Sequence, residues 1–160
     1  MDRDGGEIRG GRIETRHHQW MDCAVAEART GLSEGGIPIG AVLVENGRIL
    51  GRGHHQRVQK GNPVLHAEID CLQDAGRTGN FRNSVLYSTL MPCYFCAGAK
   101  VKCGIPMVVA GESENFAGAR EFLESKGVRV IDLRREDCIS MMKEFIPRHP
   151  APWNEDIVEL

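Results

Sequence analysis

Two short segments of the chain carry side chains that suit metal binding and acid–base chemistry. The segment VLHAEIDC (64–71) holds His66 and Glu68, two positions apart, and TLMPCYFCAGAK (89–100) holds Cys93 and Cys96, three positions apart. Zinc accepts imidazole and thiolate ligands tetrahedrally, and catalytic sites usually supply three protein ligands and leave the fourth position for water. His66, Cys93 and Cys96 therefore predict one catalytic zinc per chain.

Glu68 is predicted to move protons beside this metal. Because it follows the histidine by two positions at a helix start, its side chain points elsewhere than the ligand and can stand near the zinc without binding it. Zinc lowers the pKa of bound water to about 7, and a carboxylate can take the water's proton and return it to a leaving group. H-x-E followed by P-C-x-x-C is a known signature of zinc nucleobase deaminases, so this assignment is a motif match.

Each motif alone also has a structural explanation. A histidine near an apolar run is more often a packed core residue, and C-x-x-C at a helix start can belong to a structural zinc site. A structural site needs a fourth protein ligand, and Cys103 lies two helical turns beyond Cys96, too far to supply it. The two motifs together, each at a helix start after an extended segment, favour the catalytic interpretation.

Periodicity and turn signals predict the helices and strands around these residues. Residues 1–12 are predicted as a disordered arm and 13–160 as one domain. Apolar residues at helical spacing predict a first helix that ends at Gly35-Gly36, and two apolar runs around Asn46-Gly47 predict a β-hairpin. The apolar positions of that helix are Trp20, Met21, Ala24, Val25, Ala28 and Leu32.

Strands and helices alternate after the hairpin. Helices are predicted to end at Gly76, Gly104 and, for the last one, Pro147. This alternation predicts an α/β fold of three layers, α/β/α, with a mostly parallel central sheet.

Composition narrows the range of partners. The net charge of −2 gives no general attraction to phosphate backbones, so no nucleic-acid partner is expected. No apolar run approaches the roughly 20 residues that cross a membrane, and the first residues lack a secretory apolar region. The six cysteines are therefore expected to be free thiols in a reducing cytoplasm, two of them metal ligands.

The chain resembles the cytidine and deoxycytidylate deaminase superfamily, and within it the small fungal-type cytosine deaminases. The likeness extends from about Trp20 to Asp156. It implies a central five-stranded mixed sheet between helices, a homodimer, and one zinc per subunit. It also implies that His66, Cys93 and Cys96 are the ligands and Glu68 the proton shuttle. The segments that carry it are EGGIPIGAVLV, GRGH, QKGNPVLHAEI, LYSTLMPCYFCAGA, CGIPMVVAGE, NF and PWNEDI.

The same resemblance assigns residues to the substrate. Trp153 and Phe116 would close over a flat ring, and Asp156 would accept a hydrogen bond from the reacting amine, as aromatic faces and an acceptor suit an amino-heterocycle. Backbone N–H groups of Ala67 and Cys93, at helix N-termini, would support the site. From the residues alone, Trp153 would be assigned to packing and Asp156 to a solvated chain end.

Two positions depart from the family pattern. Where the cytosine deaminases carry a pocket asparagine after GRGH, this chain has His55, whose donor and acceptor lie farther from the backbone. His55 is predicted to contact the substrate, with a surface position as the alternative. Tyr94 and Phe95 replace the family's acidic residue inside C-x-x-C, which would alter the pocket wall or the dimer face.

The predicted function is zinc-dependent hydrolytic deamination of a free amino-substituted heterocycle, with cytosine first. Because of His55, another small ring is an alternative: isocytosine, creatinine, guanine or an aminotriazine. Deamination of adenosine or cytidine in tRNA is a further alternative, opposed by the net charge. The last alternative is a non-catalytic zinc module. Glu68 opposes it, because a structural zinc site has no use for a carboxylate beside the metal.

Overall fold

The computed structural model describes residues 11–158, with side chains from residue 15 on. Residues 1–10 of the predicted arm lie outside this range, and the first helix begins at Gly11, inside the arm. The elements in chain order are α1 (Gly11–Ser33), β1 (Gly40–Glu45), β2 (Arg48–His54), α2 (Arg57–Lys60), α3 (Ala67–Ala75), β3 (Ser84–Ser88), α4 (Tyr94–Cys103), β4 (Met107–Ala110), α5 (Arg120–Ser125), β5 (Arg129–Asp132), α6 (Glu136–Arg148) and α7 (Pro150–Ile157).

The sheet has five strands in the order β2-β1-β3-β4-β5. Strand β1 is antiparallel to both of its neighbours, whereas β3, β4 and β5 are parallel. The predicted hairpin joins β1 to β2 through Asn46 and Gly47, which both have positive φ, as a tight hairpin turn requires. The expected mixed five-stranded sheet is therefore confirmed.

Side chains alternate between the two faces of the sheet and define the layers. On one face, Ala41 and Leu43 of β1 pack in a core cluster with Ala67 and Cys71 of α3. Farther along that face, Val108 of β4 packs with residues of α4 and α5. On the opposite face, Val42 and Val44 pack with residues of α1. Helices thus cover both sides, as an α/β/α arrangement requires.

Two glycines of β2 bring α3 unusually close to the sheet. A Cβ on Gly51 would lie 2.5 Å from the carbonyl oxygen of Cys71. A Cβ on Gly53 would lie 2.5 Å from the backbone nitrogen of Cys71. Only glycine tolerates such an approach of helix backbone to strand. The start of α3, where His66 and Glu68 lie, is therefore fixed firmly against the sheet.

The end of the chain differs from the sequence prediction. Helix α6 does not end at Pro147 but continues one residue further, to Arg148. Pro150 then begins α7, a helix that the sequence reasoning did not predict and that has this proline in its first turn. Within the described residues, none of the helices combines the length and apolar character needed to cross a membrane.

Candidate active site

The start of two helices brings the predicted ligands together. His66 is the N-cap residue of α3 and Cys93 that of α4, both with extended backbone, and Cys96 lies in the first turn of α4. The Nδ1 atom of His66 lies 3.5 Å from Sγ of Cys93 and 3.4 Å from Sγ of Cys96. These ligand atoms form a group within 4.8 Å of one another.

The spacing of these atoms fits a tetrahedral zinc ion. With Zn–S bonds of about 2.3 Å and Zn–N bonds of about 2.0 Å, neighbouring ligand atoms of a tetrahedron lie roughly 3.5 Å apart. The two distances from His66 Nδ1 match that edge length. One imidazole and two thiolates also make a donor set that zinc prefers, and they leave a fourth position open.

A carboxylate orients the histidine ligand. Oδ1 of Asp156 lies 3.2 Å from Nε2 of His66. A carboxylate only accepts, so Nε2 carries the hydrogen and Nδ1 is left to the metal, as in many zinc sites. Burial raises the pKa of Asp156, but hydrogen bonds from His55 and His66 outweigh it and hold this pKa well below its usual range. Asp156 is therefore ionised.

The metal ligands are strongly coupled to one another. Hydrogen bonds from Cys96 and from His66 together lower the pKa of Cys93 to about 4, against the opposing effect of burial. The hydrogen bond with Cys93 and burial raise the pKa of Cys96. Burial lowers the pKa of His66, but hydrogen bonds to Asp156 and Cys93 raise it to about 10. Zinc therefore binds in competition with protons on Cys96 and His66.

Glu68 faces the same pocket without joining the ligand group. It lies in the first turn of α3, its exposed fraction is 4%, and it lines the cavity beside His66 and Cys93. Its carboxylate oxygen Oε2 lies 3.8 Å from Nζ of Lys100. Glu68 thus lies beside the candidate ligands, and its role in proton transfer stays a prediction.

The cavity has a volume of about 360 Å³, including the part open to solvent. Four of the predicted substrate residues line it: His55, Phe116, Trp153 and Asp156. The rings of Phe116 and Trp153 meet edge to face, with centroids 6.1 Å apart. Ala67 is buried at the start of α3 and is outside the lining. The roles of these residues toward a substrate stay predictions.

Asp156 is the centre of a polar network above the metal site. Its Oδ1 lies 3.1 Å from Nε2 of His55 and 3.1 Å from Nε of Arg57, besides the contact to His66. The rings of His55 and His66 stack at a centroid distance of 4.9 Å. The hydrogen bonds and ion pairs that the described residues make with this carboxylate all fall on Oδ1, so Oδ2 is left for another donor.

Sequence reasoning missed Arg57 and Lys100. Arg57 belongs to the single turn α2, and its guanidinium also reaches Oε1 of Glu155 at 3.1 Å, which ties α7 to the body of the protein. Lys100 follows Cys96 by four positions, so the helical period alone places both on one side of α4. That spacing was a signal available in the sequence.

The chain belongs to the family described as "Cytidine and deoxycytidylate deaminase zinc-binding region", which matches residues 14–112. The match includes His66, Glu68, Cys93 and Cys96. With the fold and the ligand geometry above, this makes the protein a zinc-dependent deaminase, a hydrolase that acts on C–N bonds.

Two curated relatives and a solved structure describe its neighbourhood. A cytosine deaminase of Candida albicans is 40% identical over 142 residues, covering 87% of this chain and 95% of the relative. A tRNA-specific adenosine deaminase of Streptococcus pyogenes is 38% identical over 138 residues, covering 79% of this chain and 87% of the relative. The guanine deaminase of Nitrosomonas europaea superposes with a TM-score of 0.70 at 21% identity, covering 79% of this chain and 82% of that protein. This similarity shows a shared fold.

Proposed function

We propose that this protein deaminates a free amino-substituted heterocycle by hydrolysis, with cytosine as the first candidate. The observation that carries the proposal is the cavity next to the zinc ligands, which is lined by Trp153 and Phe116, two aromatic side chains suited to a flat ring. Asp156 adds a carboxylate whose Oδ2 is free to accept from the substrate's amine. The 40% identity to the Candida cytosine deaminase supports the same substrate class.

The chain's own residues account for the remaining steps. His66, Cys93 and Cys96 would hold a zinc ion, which would lower the pKa of a bound water toward neutrality. Glu68 accepts one proton from the attacking water and delivers it to the adjacent ring nitrogen as the C–O bond forms; it then moves the remaining proton from the new hydroxyl group to the amine, so that the C=O bond forms, the C–N bond breaks and ammonia leaves. Asp156 orients the amine, and the aromatic pair excludes bulk water from the ring.

Deamination of adenosine in tRNA is the second candidate, because the streptococcal relative is nearly as similar. Two features favour the free ring. Helix α7 brings Trp153, Asp156 and Ile157 to the cavity wall, where an extruded nucleotide would need room for its sugar and strand. The chain also has a net charge of −2, whereas strand binding relies on basic side chains.

Ammonia release from the purified zinc protein tests the proposal. The panel should contain cytosine, isocytosine, guanine, creatinine, an aminotriazine, cytidine, adenosine and an adenosine-containing RNA stem-loop. We expect turnover of at least one free ring and none of the RNA. Turnover of the RNA alone would overturn the proposal in favour of a tRNA deaminase, and no turnover of any compound would favour a non-catalytic zinc module.

His55→Asn is expected to change which ring is accepted. His55 is 1% exposed, lines the cavity and donates to Asp156, so a shorter side chain removes this contact and the stacking on His66. Leaving a buried polar edge unpaired costs roughly 1–3 kcal/mol, or about ten- to a hundredfold in relative activity. The measurement is the ratio of kcat/KM for cytosine to that for each other ring in the panel.

His54→Asn is the matched control for this variant. His54 is the preceding residue and pairs with Glu27 and Glu34, away from the cavity lining. We expect it to leave the substrate ratios unchanged. If His55→Asn also left the kcat/KM ratios unchanged, His55 would have no part in selecting the ring. Histidine and the family's asparagine would then serve equally well at this position.

We further propose that the protein is a cytoplasmic homodimer, as the family resemblance implies. The six cysteines are all free, which suits a reducing compartment. Tyr94 and Phe95, exposed by 72% and 51% at the start of α4, are apolar side chains that a second copy would cover. Light scattering of the purified protein measures the mass, and a monomer at micromolar concentration would contradict the dimer.

A further inference from the structure

Lys100 is a fully buried lysine next to the metal site. It lies in α4, one helical turn after Cys96, and its exposed fraction is 0%. Its Nζ donates to the backbone oxygen of Cys96 at 3.2 Å and lies 3.8 Å from Oε2 of Glu68. Removing an ammonium group from water is costly unless another charge compensates it, so the position needs a specific explanation.

The hydrogen bond to Cys96 does not explain why a charged lysine is buried at this position. It runs back one turn within the same helix, and a neutral carbonyl compensates a full charge only in part. A methionine would fill a similar volume without burying any charge. Among the described residues, the carboxylate of Glu68 is the one opposite charge within 4 Å of Nζ. The lysine is therefore explained by its pairing with Glu68.

Glu68 depends on the same pair. Lys100 is the one polar contact that the described residues offer to the Glu68 carboxylate. A separation of 3.8 Å is an ion pair and not a hydrogen bond. Lys100 thus attracts the carboxylate without occupying an oxygen lone pair, and both oxygens stay available for proton transfer.

We propose that Lys100 is a positioning residue that holds the Glu68 carboxylate at the zinc pocket. The pair joins α3 to α4, the two helices whose first turns carry the zinc ligands, and so fixes the carboxylate relative to the metal. This inference rests on the proposed function, since it assigns Lys100 to the proton transfer of that reaction. Lys100 acts only through Glu68 and contacts no substrate.

The kinetic test compares Lys100→Met with Lys102→Met, a control on the same helix whose lysine is exposed. Misplacement of a reacting group by about 1 Å can cost a hundredfold, so kcat of Lys100→Met should fall roughly ten- to a hundredfold. KM and a zinc content of about one per chain should stay unchanged. In a Glu68→Gln background, Lys100→Met should have little further effect on kcat, because the group that it positions is already gone.

The stability test needs no substrate. Glu68→Gln leaves the buried ammonium unpaired, so it should lower the Tm of the zinc protein by roughly 5–10 °C. In the Lys100→Met background the same change should shift the Tm by much less, because no charge is left unpaired. The measurement is the thermal midpoint of the four proteins of this cycle.

The two tests separate the inference from the proposed function. Additive Tm shifts, zinc loss in Lys100→Met, or a kcat within twofold of the parent would each overturn the positioning role. Coupled Tm shifts in a protein that deaminates nothing would overturn the proposed function, and the role of Lys100 in proton transfer with it, while the ion pair would stand. Coupled shifts together with a selective loss of kcat would support both.

Discussion

Cys96→Ser is expected to abolish both zinc binding and deaminase activity. Sγ of Cys96 lies 3.4 Å from Nδ1 of His66, so the variant loses one of three protein ligands. A serine hydroxyl is a far weaker zinc ligand than a thiolate, and two remaining ligands do not hold the ion. Zinc content by elemental analysis should fall from about one per chain to near zero, and ammonia release should fall to background.

Cys103→Ser is the control for the loss of a thiol from the same helix. Cys103 ends α4, two turns beyond Cys96, and is a half-buried free cysteine outside the ligand group. We expect this variant to keep its zinc and its turnover. A zinc-free Cys96→Ser protein with full activity would show that deamination here does not depend on the metal.

The ligand set was predictable from the sequence because it depends on local structure. His66 and Cys93 both cap helices that follow an extended segment, and one helical turn then places Cys96 beside Cys93. Strand and helix signals are strong at both places, so order and spacing sufficed. Bringing the two segments together depended on the sheet, in which β1 lies between β2 and β3, the strands that precede α3 and α4.

The network around Asp156 was not predictable in the same way. Asp156 and Arg57 are 99 positions apart, and their contact depends on α7, a helix that the sequence did not predict. Pro147 predicts the end of helical structure, but proline is favoured in a first turn, and Pro150 begins α7 in that way. The resemblance named Asp156 but gave no hint that His55 would donate to it.

Lys100 illustrates a different limit. The sequence places it on one side of α4 with Cys96, but an exposed lysine and a buried one have the same pattern in a short helix. Its burial is a tertiary feature, and its Nζ lies 3.8 Å from Oε2 of Glu68 on the neighbouring helix α3. Such tertiary constraints are absent from helical periodicity.

Glu68→Gln is expected to keep the zinc and lose most turnover. The side chain is outside the ligand group, so zinc content should stay near one per chain. Glutamine has nearly the same shape and cannot accept and return a proton, and removal of a general acid–base typically costs about 10²–10⁴-fold in kcat. The measurement is kcat for the best ring of the panel, together with the metal content of the same sample.

The reduced stability of this variant must be separated from its loss of chemistry. Glu68→Gln leaves Lys100 unpaired, so a partly unfolded sample would also lose activity. The double variant Glu68→Gln/Lys100→Met removes both charges and should recover most of the lost Tm, yet its kcat should stay as low as that of Glu68→Gln. Recovered turnover in the double variant would mean that Glu68 serves to neutralise Lys100, and loss of zinc in either protein would assign Glu68 to the metal site's structure. With stability and zinc both retained, the remaining loss of kcat measures proton transfer by Glu68 itself.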